Sequence, residues 1–404
     1  MLKTKPNQRS RTAKRLDRIP PYLFAELDKK KAKFLERGVD VVSLAIGDPD
    51  NPTPDFIINK FKEALSNPST HHYPPYEGTL DFKRAVGEFY ERRFGVKLDP
   101  EKEVLALIGS KEGIAHSFLA FVNEGDIVLV PDPGYPVYNV GAIMAGAEPY
   151  PMPLHEKNCY LPSFEKIDKN IISKAKLLYL NYPSNPTTAV AGLEFLEEAV
   201  SFAKKHDLII CYDNAYSEIT FDGYIAPSIL QVKDAKDIAI EFNSLSKPYN
   251  MTGWRLGYAV GNKEMIKALG TIKNNVDSGV FTAIQVAGIE ALKKGDNVVS
   301  RMKSIYIRRR DRLVKVLNEI GWKLKAPKAT FYVWAPVPKG YDSTSFASYL
   351  LEESGILVAP GVGYGKSGEG YFRISITAPD ERIEEAVKRL HKLDLSSKFE
   401  QEKH

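Results

Sequence analysis

The sequence predicts an α/β protein with a large domain, built on a mostly parallel central sheet flanked by helices, and a smaller α+β domain. Three observations predict this class. From about residue 103 to 262, short β-branched runs alternate with helical patterns, as in chains that wind helices around a parallel sheet. After residue 295, one long helical stretch precedes several strand patterns. The 404 residues also exceed what a single hydrophobic core usually supports.

The elements of the large domain alternate along the chain. The runs EVLALIGS and DIVLVPD each lead into a helical pattern, and AKLLYLNYP is followed by the helical LEFLEEAVSFAKKH and then by LIICYDNAY. The strands are almost continuous hydrophobic runs, which is expected when helices cover both faces of a parallel sheet. The apolar residues of that helix recur at three- and four-residue steps and share one face: Leu193, Leu196, Val200 and Ala203.

The smaller domain is predicted from both ends of the chain. The stretch NVVSRMKSIYIRRRDRLVKVLNEIG predicts a long helix, and TFYVWAPV, GILVAPG and YFRISITA predict strands. We expect the N-terminal residues to join this domain. The large domain is then 54–295, and the small domain is made of 1–53 and 296–404.

Composition favours a globular enzyme of the cytoplasm. A net charge of +5 is small for this length and does not indicate a nucleic-acid binder, and the basic first eighteen residues are read as a solvated terminus. Cys159 and Cys211 lie far apart, without a CxxC or His-rich segment, so we expect neither a disulfide framework nor a metal site. No apolar run is long enough to span a bilayer, so no membrane partner is expected.

The glycine-rich stretch GVGYGKSGEG does not predict a nucleotide site. Gly363, Gly365 and Gly368 match GxGxxG, but the first glycine that a P-loop requires falls on Pro360. Both motifs also need a helix directly after the glycines, because the N-terminus of that helix holds the phosphate. A strand pattern follows instead. We therefore expect a mobile loop near the active site.

Polar residues follow four predicted strands, at the edge where open α/β sheets place their ligands. Each residue by itself could be a helix cap, a core residue or part of a turn. Their occurrence together at the strand ends of one sheet favours a ligand site. These residues are Ser110 and Lys111, Asn181 and Asn185, Asp213 and Tyr216, and Ser244, Ser246 and Lys247.

This combination of side chains is the one that pyridoxal phosphate needs. Lys247 would condense with the aldehyde, and a carboxylate would keep the pyridine nitrogen protonated. A tyrosine and an amide would hydrogen-bond the ring 3-oxygen. Ser244, Ser246 and Arg255 would hold the phosphate dianion.

The segments NYPSNPTT, YDNAYSE, SLSKPYNMTGWRLGY and YFRISIT resemble, in this order, the signatures of class I/II aminotransferases, which are fold-type I pyridoxal-phosphate enzymes. The resemblance runs from about residue 40 to 390. It implies that Lys247 is the Schiff-base lysine and proton shuttle and that Asp213 pairs with the pyridine nitrogen. It assigns the remaining cofactor contacts to the ring 3-oxygen (Asn185 and Tyr216), ring stacking (Tyr135) and the phosphate (Ser110, Lys111, Ser244, Ser246 and Arg255).

The resemblance also implies a homodimer with shared active sites, because Tyr73 would reach the phosphate of the neighbouring subunit. Arg373 would clamp the substrate α-carboxylate, with Gly47 closing over it, and Asn185 would also bind the substrate. One residue departs from the family pattern. Thr188 stands where a glycine is usual, which puts the local backbone conformation in question.

The expected reaction is ping-pong transamination between an amino acid and a 2-oxo acid. Segments such as HHYPPYEGTLDFKRAV and NNVDSGVFTAIQ most resemble the LL-diaminopimelate aminotransferase subgroup, which serves lysine biosynthesis and accepts LL-diaminopimelate or glutamate. Aspartate or alanine aminotransferase is the alternative, followed by a β-lyase or a non-catalytic regulatory protein of the same fold. For the distal ammonium of diaminopimelate we expect Tyr76 or Glu77, reaching across the dimer, and for a distal carboxylate Lys111.

Overall fold

The computed structural model describes residues 11–393 and residue 395. From Val104 to Asp213 its strands alternate with α-helices, within the stretch from about residue 103 to 262 where the sequence predicts this alternation. None of the described helices is both long enough and apolar enough to cross a membrane. The α-helices are α1 (Leu23–Glu36), α2 (Asp55–Leu65), α3 (Leu80–Phe94), α4 (Ser110–Phe121), α5 (Val137–Met144), α6 (Lys169–Ile172), α7 (Leu193–Lys205), α8 (Lys263–Val276), α9 (Thr282–Lys294), α10 (Asp296–Glu319), α11 (Ser343–Ser354) and α12 (Asp380–Leu390).

The strands form one large sheet and two small ones. The large sheet has seven strands in the order β2-β8-β7-β6-β5-β3-β4, and only β8 runs antiparallel to its neighbours. The expectation of a mostly parallel central sheet is therefore confirmed. The strands are β1 (Val42–Ser43), β2 (Val104–Leu107), β3 (Ile127–Asp132), β4 (Glu148–Pro153), β5 (Ala175–Asn181), β6 (Ile209–Asp213), β7 (Ala239–Ser244), β8 (Gly257–Gly261), β9 (Tyr332–Pro336), β10 (Ile356–Leu357), β11 (Ala359–Pro360) and β12 (Tyr371–Ser375).

Both faces of the large sheet are covered, because alternate residues of one strand enter two different hydrophobic clusters. On β5, Leu177 and Tyr179 belong to one cluster, while Leu178 and Leu180 belong to the other. Side chains of a strand point to opposite faces in turn, so two clusters on one strand mean two buried faces. This is why the sequence shows continuous hydrophobic runs there rather than alternation.

The small sheets join the N-terminal segment to the C-terminal part of the chain. β1 pairs in parallel with β10, and β11, β12 and β9 form an antiparallel sheet. The stretch GILVAPG is not one strand as predicted. It divides into β10 and β11, which belong to different sheets. Helix α1 packs its Leu27 into a cluster with Trp334 and Tyr364, so the N-terminal helix lies against the same region.

The glycine-rich stretch forms two consecutive 3₁₀ turns, Gly361–Tyr364 and Lys366–Gly368. Ser367 anchors it, because its backbone N–H and its hydroxyl both donate to Asp132 at distances of 3.1 Å. The chain continues into β12 and not into a helix. The stretch therefore has no helix N-terminus to hold a nucleotide phosphate.

The carboxyl ends of the parallel strands meet at one edge of the large sheet. Asn181 on β5 pairs with Asp213 on β6, which pairs with Phe242 on β7, two residues before Ser244. This register sets the polar residues that follow the strands side by side, as expected for the ligand edge of an open sheet.

Candidate active site

A cleft of about 360 Å³ opens at this edge of the sheet. It lies beneath the N-terminal helix α1 and beside the small antiparallel sheet. Twelve of the residues that the sequence predicts for the site line it: Gly47, Ser110, Lys111, Tyr135, Asn181, Asn185, Asp213, Tyr216, Ser244, Ser246, Lys247 and Arg255.

Lys247 lies within the cleft, three residues after β7, with its ammonium 3.2 Å from the carbonyl oxygen of Gly47. Burial, together with the neighbouring cations Arg255 and Arg373, lowers the pKa of Lys247 to about 8, against the opposing charge of Asp48. About a tenth of such lysines carry a neutral amine at pH 7, whereas an ordinary lysine is almost wholly protonated. Lys247 is therefore suited to act as a nucleophile and as a carrier of protons.

Asp213 ends strand β6 and is 5% exposed. The Tyr138 hydroxyl donates to its Oδ2 at 2.7 Å, and the Ala215 backbone N–H donates to its Oδ1 at 3.4 Å. Burial raises the pKa of Asp213 to about 6, although both hydrogen bonds and the charge of Lys247 oppose that rise. No described arginine or lysine forms an ion pair with it, so the carboxylate can stabilise a cation that a ligand brings into the cleft.

Tyr216 follows β6 and is buried at the side of the cleft. Burial raises the pKa of Tyr216 well above its ordinary value, so its hydroxyl keeps its proton and can donate. Its oxygen lies 3.1 Å from the hydroxyl of Tyr332. Asn185 reaches the cleft from the turn after β5, where its backbone N–H donates to Asn181 Oδ1 at 2.9 Å. Its own side-chain amide can therefore face a ligand.

Arg373 on β12 lies behind the cleft wall and is fully buried. Its guanidinium donates at 2.6 Å to Asn185 Oδ1 and at 2.6 Å to the Ala45 carbonyl, and its Nε has no partner among the described residues. The guanidinium carbon lies 3.9 Å from the ring centroid of Tyr332. No described carboxylate pairs with this buried cation, which leaves it able to bind an anion from a substrate.

An anion cradle forms where helix α4 begins. Gly109, the residue before the helix, has no side chain to cap it, and the Glu112 N–H donates to the Gly109 carbonyl at 3.3 Å. Among the described residues, the N–H groups of Ser110 and Lys111 are left available for a ligand. A Cβ on Gly109 would lie 2.2 Å from a terminal guanidinium nitrogen of Arg255, and a Cβ on Gly257 would lie 2.8 Å from the backbone nitrogen of Ser110. The glycines thus allow the arginine and the helix start to come together.

The mouth of the cleft is lined by residues that the sequence interpretation missed. The Lys111 ammonium lies 3.3 Å from the Tyr22 hydroxyl and 4.7 Å from the centroid of the Tyr22 ring. Phe24 and Asp28 follow on helix α1, one helical turn apart and so on the same face. The missed lining residues are Tyr22, Phe24, Asp28, Ile46, Ala215 and Tyr332. Helix α1 was not predicted from the sequence, so its residues could not be assigned to the cleft.

Besides Arg373, which lies behind the cleft wall, three predicted or hypothesised residues lie outside the cleft of their own chain. Tyr73 is 82% exposed and Tyr76 is 41% exposed. Glu77 faces helix α8, where its Oε1 lies 3.0 Å from the position that a Cβ on Gly270 would take. Within one chain, the segment HHYPPYEG therefore contributes no side chain to the described cleft.

Thr188 keeps the backbone conformation that the sequence put in question. Its φ is 62°, in the left-handed region that glycine adopts freely. Its backbone N–H donates to the Ser184 carbonyl at 3.0 Å, which closes the turn that carries Asn185. The turn is retained with threonine in a strained conformation.

Together these groups fit pyridoxal phosphate. The cleft contains an amine of lowered pKa and a buried carboxylate that forms no ion pair with a described residue. Hydroxyl and amide donors line the cleft near these two groups. The N-terminus of helix α4, together with an arginine, can bind a dianion. The residues that would hold the group are Lys247, Asp213, Tyr216, Asn185, Tyr135, Ser110, Ser244, Ser246 and Arg255.

Comparisons with known proteins agree with this chemistry. Residues 39–390 match the family model described as aminotransferase class I and II. The LL-diaminopimelate aminotransferase of Moorella thermoacetica is 55% identical over 94% of this chain and 98% of its own length. That of Halothermothrix orenii is 54% identical over 96% of this chain and 99% of its own length. The substrate-bound BacF structure from Bacillus subtilis superposes with a TM-score of 0.93 at 40% identity, covering 98% of this chain and 100% of that one.

Proposed function

Because the chain belongs to the class I and II aminotransferases, which are pyridoxal-phosphate enzymes, we propose that it transfers an amino group between LL-diaminopimelate and a 2-oxo acid such as 2-oxoglutarate. The family assignment makes the protein a transaminase that acts on small amino acids and 2-oxo acids. The choice of LL-diaminopimelate, and with it a role in lysine biosynthesis, is the proposal. The names of the relatives and the charges at the mouth of the cleft support it.

Each residue of the cleft has a defined task in this reaction. When bound, pyridoxal phosphate supplies an aldehyde that condenses with amines and a ring that accepts the electron pair left on the substrate Cα. Lys247 would hold the cofactor between turnovers and, as a neutral amine, would take the proton from the substrate Cα. Asp213 would keep the ring nitrogen positively charged, and Arg373 would orient the substrate by its α-carboxylate.

The observation that carries the substrate proposal is a pair of opposite charges at the mouth of the cleft. The distal end of LL-diaminopimelate has both an ammonium and a carboxylate, whereas that of glutamate has only a carboxylate. Lys111 can meet the distal carboxylate of either substrate. Asp28 lines the same cleft, has no ion pair among the described residues, and can meet the ammonium that only diaminopimelate carries. The cleft's other carboxylate, Asp213, lies at its base beside Tyr138.

Replacing Asp28 with asparagine tests this proposal. A lost charged hydrogen bond at a solvent-accessible site weakens transition-state binding by about 1–2 kcal/mol, so kcat/KM for LL-diaminopimelate should fall roughly 5- to 30-fold. The value for glutamate should stay within about twofold of the wild-type value, because glutamate has no distal ammonium for Asp28 to meet. Steady-state kinetics with both donors measure the difference.

Glu77→Gln is the matched control, since it removes a carboxylate that faces helix α8 and not the cleft of its own chain. It should leave both substrates unaffected. If it selectively impairs diaminopimelate instead, the distal ammonium is met by the HHYPPYEG segment across a dimer. No activity of the wild-type enzyme with LL-diaminopimelate would leave an aspartate or alanine aminotransferase.

Three further features belong to the proposal. A homodimer with shared active sites is supported by the exposure of Tyr73 and Tyr76, which have no place in the cleft of their own chain. The division into residues 54–295 and residues 1–53 with 296–404 is supported by the sheets, because all seven strands of the large sheet lie between Val104 and Gly261. The cytoplasm is supported by the two cysteines, which are both free thiols.

A further inference from the structure

Tyr332 occupies a place between the two halves of the active site. It is the first residue of β9, is 3% exposed and lines the cleft. On one side its ring stacks against the guanidinium of Arg373, at 3.9 Å from ring centroid to guanidinium carbon. On the other side its hydroxyl lies 3.1 Å from that of Tyr216. One side chain thus contacts both the proposed carboxylate-binding residue and a proposed cofactor-binding residue.

A third contact joins Tyr332 to the lysine. A Cβ on Gly47 would lie 2.0 Å from the Tyr332 hydroxyl oxygen, so the hydroxyl fills the space that only a glycine leaves open. The carbonyl of the same Gly47 accepts the hydrogen bond from Lys247 at 3.2 Å. The position of the Tyr332 hydroxyl therefore also fixes the peptide that holds the amine.

We infer that Tyr332 is a positioning residue that couples the carboxylate-binding Arg373 to the hydrogen-bond donor Tyr216. The inference rests on the proposed roles of those two residues. Its ring orients the guanidinium by a buried cation–π contact, and its hydroxyl donates to Tyr216. Because Tyr216 uses its own proton toward the cofactor 3-oxygen, Tyr332 must supply the proton between the two hydroxyls. A donor that itself accepts a hydrogen bond becomes a stronger donor.

Tyr332→Phe separates the hydroxyl from the ring. Without the hydroxyl, Tyr216 donates less strongly, so the cofactor oxygen keeps more negative charge and holds the nearby proton on the Lys247 nitrogen more tightly. The pKa of that nitrogen, read from the visible absorbance of the cofactor-loaded protein across pH, should rise by about 0.3 units or more. Binding of glutarate, an unreactive dicarboxylate probe, should change less than about twofold because the ring remains.

Tyr332→Leu removes the ring as well, and it should weaken glutarate binding about tenfold besides raising the same pKa. Tyr364→Phe is the matched control. The Tyr364 ring also lies near Arg373, at 5.0 Å, but within the part of the chain that the structure describes its buried hydroxyl has no hydrogen-bond partner. Removing that hydroxyl should shift neither the pKa nor the affinity for glutarate.

Any of three outcomes, from the single variants or from a double variant, overturns the inference. One is an unshifted pKa in Tyr332→Phe, and another is an equal shift in Tyr364→Phe. The third comes from the double variant with Tyr216→Phe: if the two shifts add in full, the hydroxyls are not coupled, whereas coupling predicts that Tyr332→Phe adds little once Tyr216 has lost its hydroxyl. These results do not bear on the substrate proposal. That proposal fails if the enzyme does not use LL-diaminopimelate, whatever pKa the absorbance titrations give.

Discussion

Asp213 is a carboxylate in surroundings that oppose its charge. Burial raises its pKa from 3.8 to about 6, so the folded apoprotein binds a proton more tightly than the unfolded chain does. The stability that this proton contributes is present below about pH 4 and is lost as the pH rises through 6. At pH 7 the ionised group costs the apoprotein roughly 3 kcal/mol, and a bound pyridinium would relieve that cost.

Asp213→Asn should therefore stabilise the apoprotein while impairing the enzyme. The amide removes the buried charge but loses one accepted hydrogen bond of about 1 kcal/mol, which leaves a net gain of about 1–2 kcal/mol at pH 7. Turnover should fall more than about tenfold, because an amide cannot keep the ring nitrogen protonated. Urea unfolding at pH 7 and at pH 4 measures the first effect. A stability difference that does not shrink at pH 4 would show that burial of the charge is not its source.

At the scale of elements, the turn from Tyr182 to Ala189 positions Asn185 with the help of a strained residue. Thr188 has a φ of 62°, where a β-branched side chain crowds its own backbone. The hydrogen bonds from Thr188 to Ser184 and from Ser184 to the Ala189 carbonyl hold the turn closed in spite of this. The hydrogen bonds of the turn therefore maintain its conformation, against the backbone preference of Thr188.

Thr188→Gly should stabilise the protein. Glycine adopts the left-handed conformation without strain, which raises the free energy of unfolding by about 1–2 kcal/mol. The greater conformational entropy of glycine in the unfolded chain offsets about 0.5–1 kcal/mol of this increase. A net increase of about 0.5–1 kcal/mol in the unfolding free energy is expected from urea titration. The control is Asp207→Gly at a φ of 55°, which should gain less because aspartate tolerates this region better. A loss of stability in Thr188→Gly would mean that the threonine side chain contributes packing that outweighs the strain.

At the scale of the whole molecule, the question is whether one chain contains a complete site. Tyr73 is exposed on its own chain, yet the family resemblance gives it a phosphate contact. Two inactive variants can answer this question if each keeps the active-site residue that the other has lost. In a mixed dimer of Lys247→Ala and Tyr73→Ala chains, one of the two sites would combine an intact Lys247 with an intact Tyr73.

Mixing these two variants, after mild unfolding and refolding to exchange subunits, should restore activity that neither homodimer has alone. The expected recovery is one functional site for each mixed dimer. The control mixes Lys247→Ala with Asp213→Asn, two residues of the same cleft, which leaves no complete site in any dimer and should restore nothing. Equal recovery in both mixtures, or none in the first, would contradict a site shared through Tyr73.

The sequence by itself determined the parallel sheet and the reactive groups along its edge. Continuous hydrophobic runs mark strands that are buried on both faces, and polar residues directly after such runs fall at the carboxyl ends of the strands. Lys247, Asp213 and Asn185 are all of this kind, so they could be predicted to lie together before their distances were known. The local sequence pattern was enough to predict that these residues lie close together, because neighbouring parallel strands end side by side.

Only the tertiary structure decided what surrounds those groups. Tyr332 lies on a strand whose pattern predicts burial but not that its hydroxyl meets Tyr216 and its ring meets Arg373. Asp28 lies on helix α1, which was not predicted from the sequence, and it lines the cleft only because that helix packs over it. The physical reason is the same for both. Periodicity records which side chains leave water, whereas the partner that each one meets depends on how distant elements pack, and no local pattern carries that information.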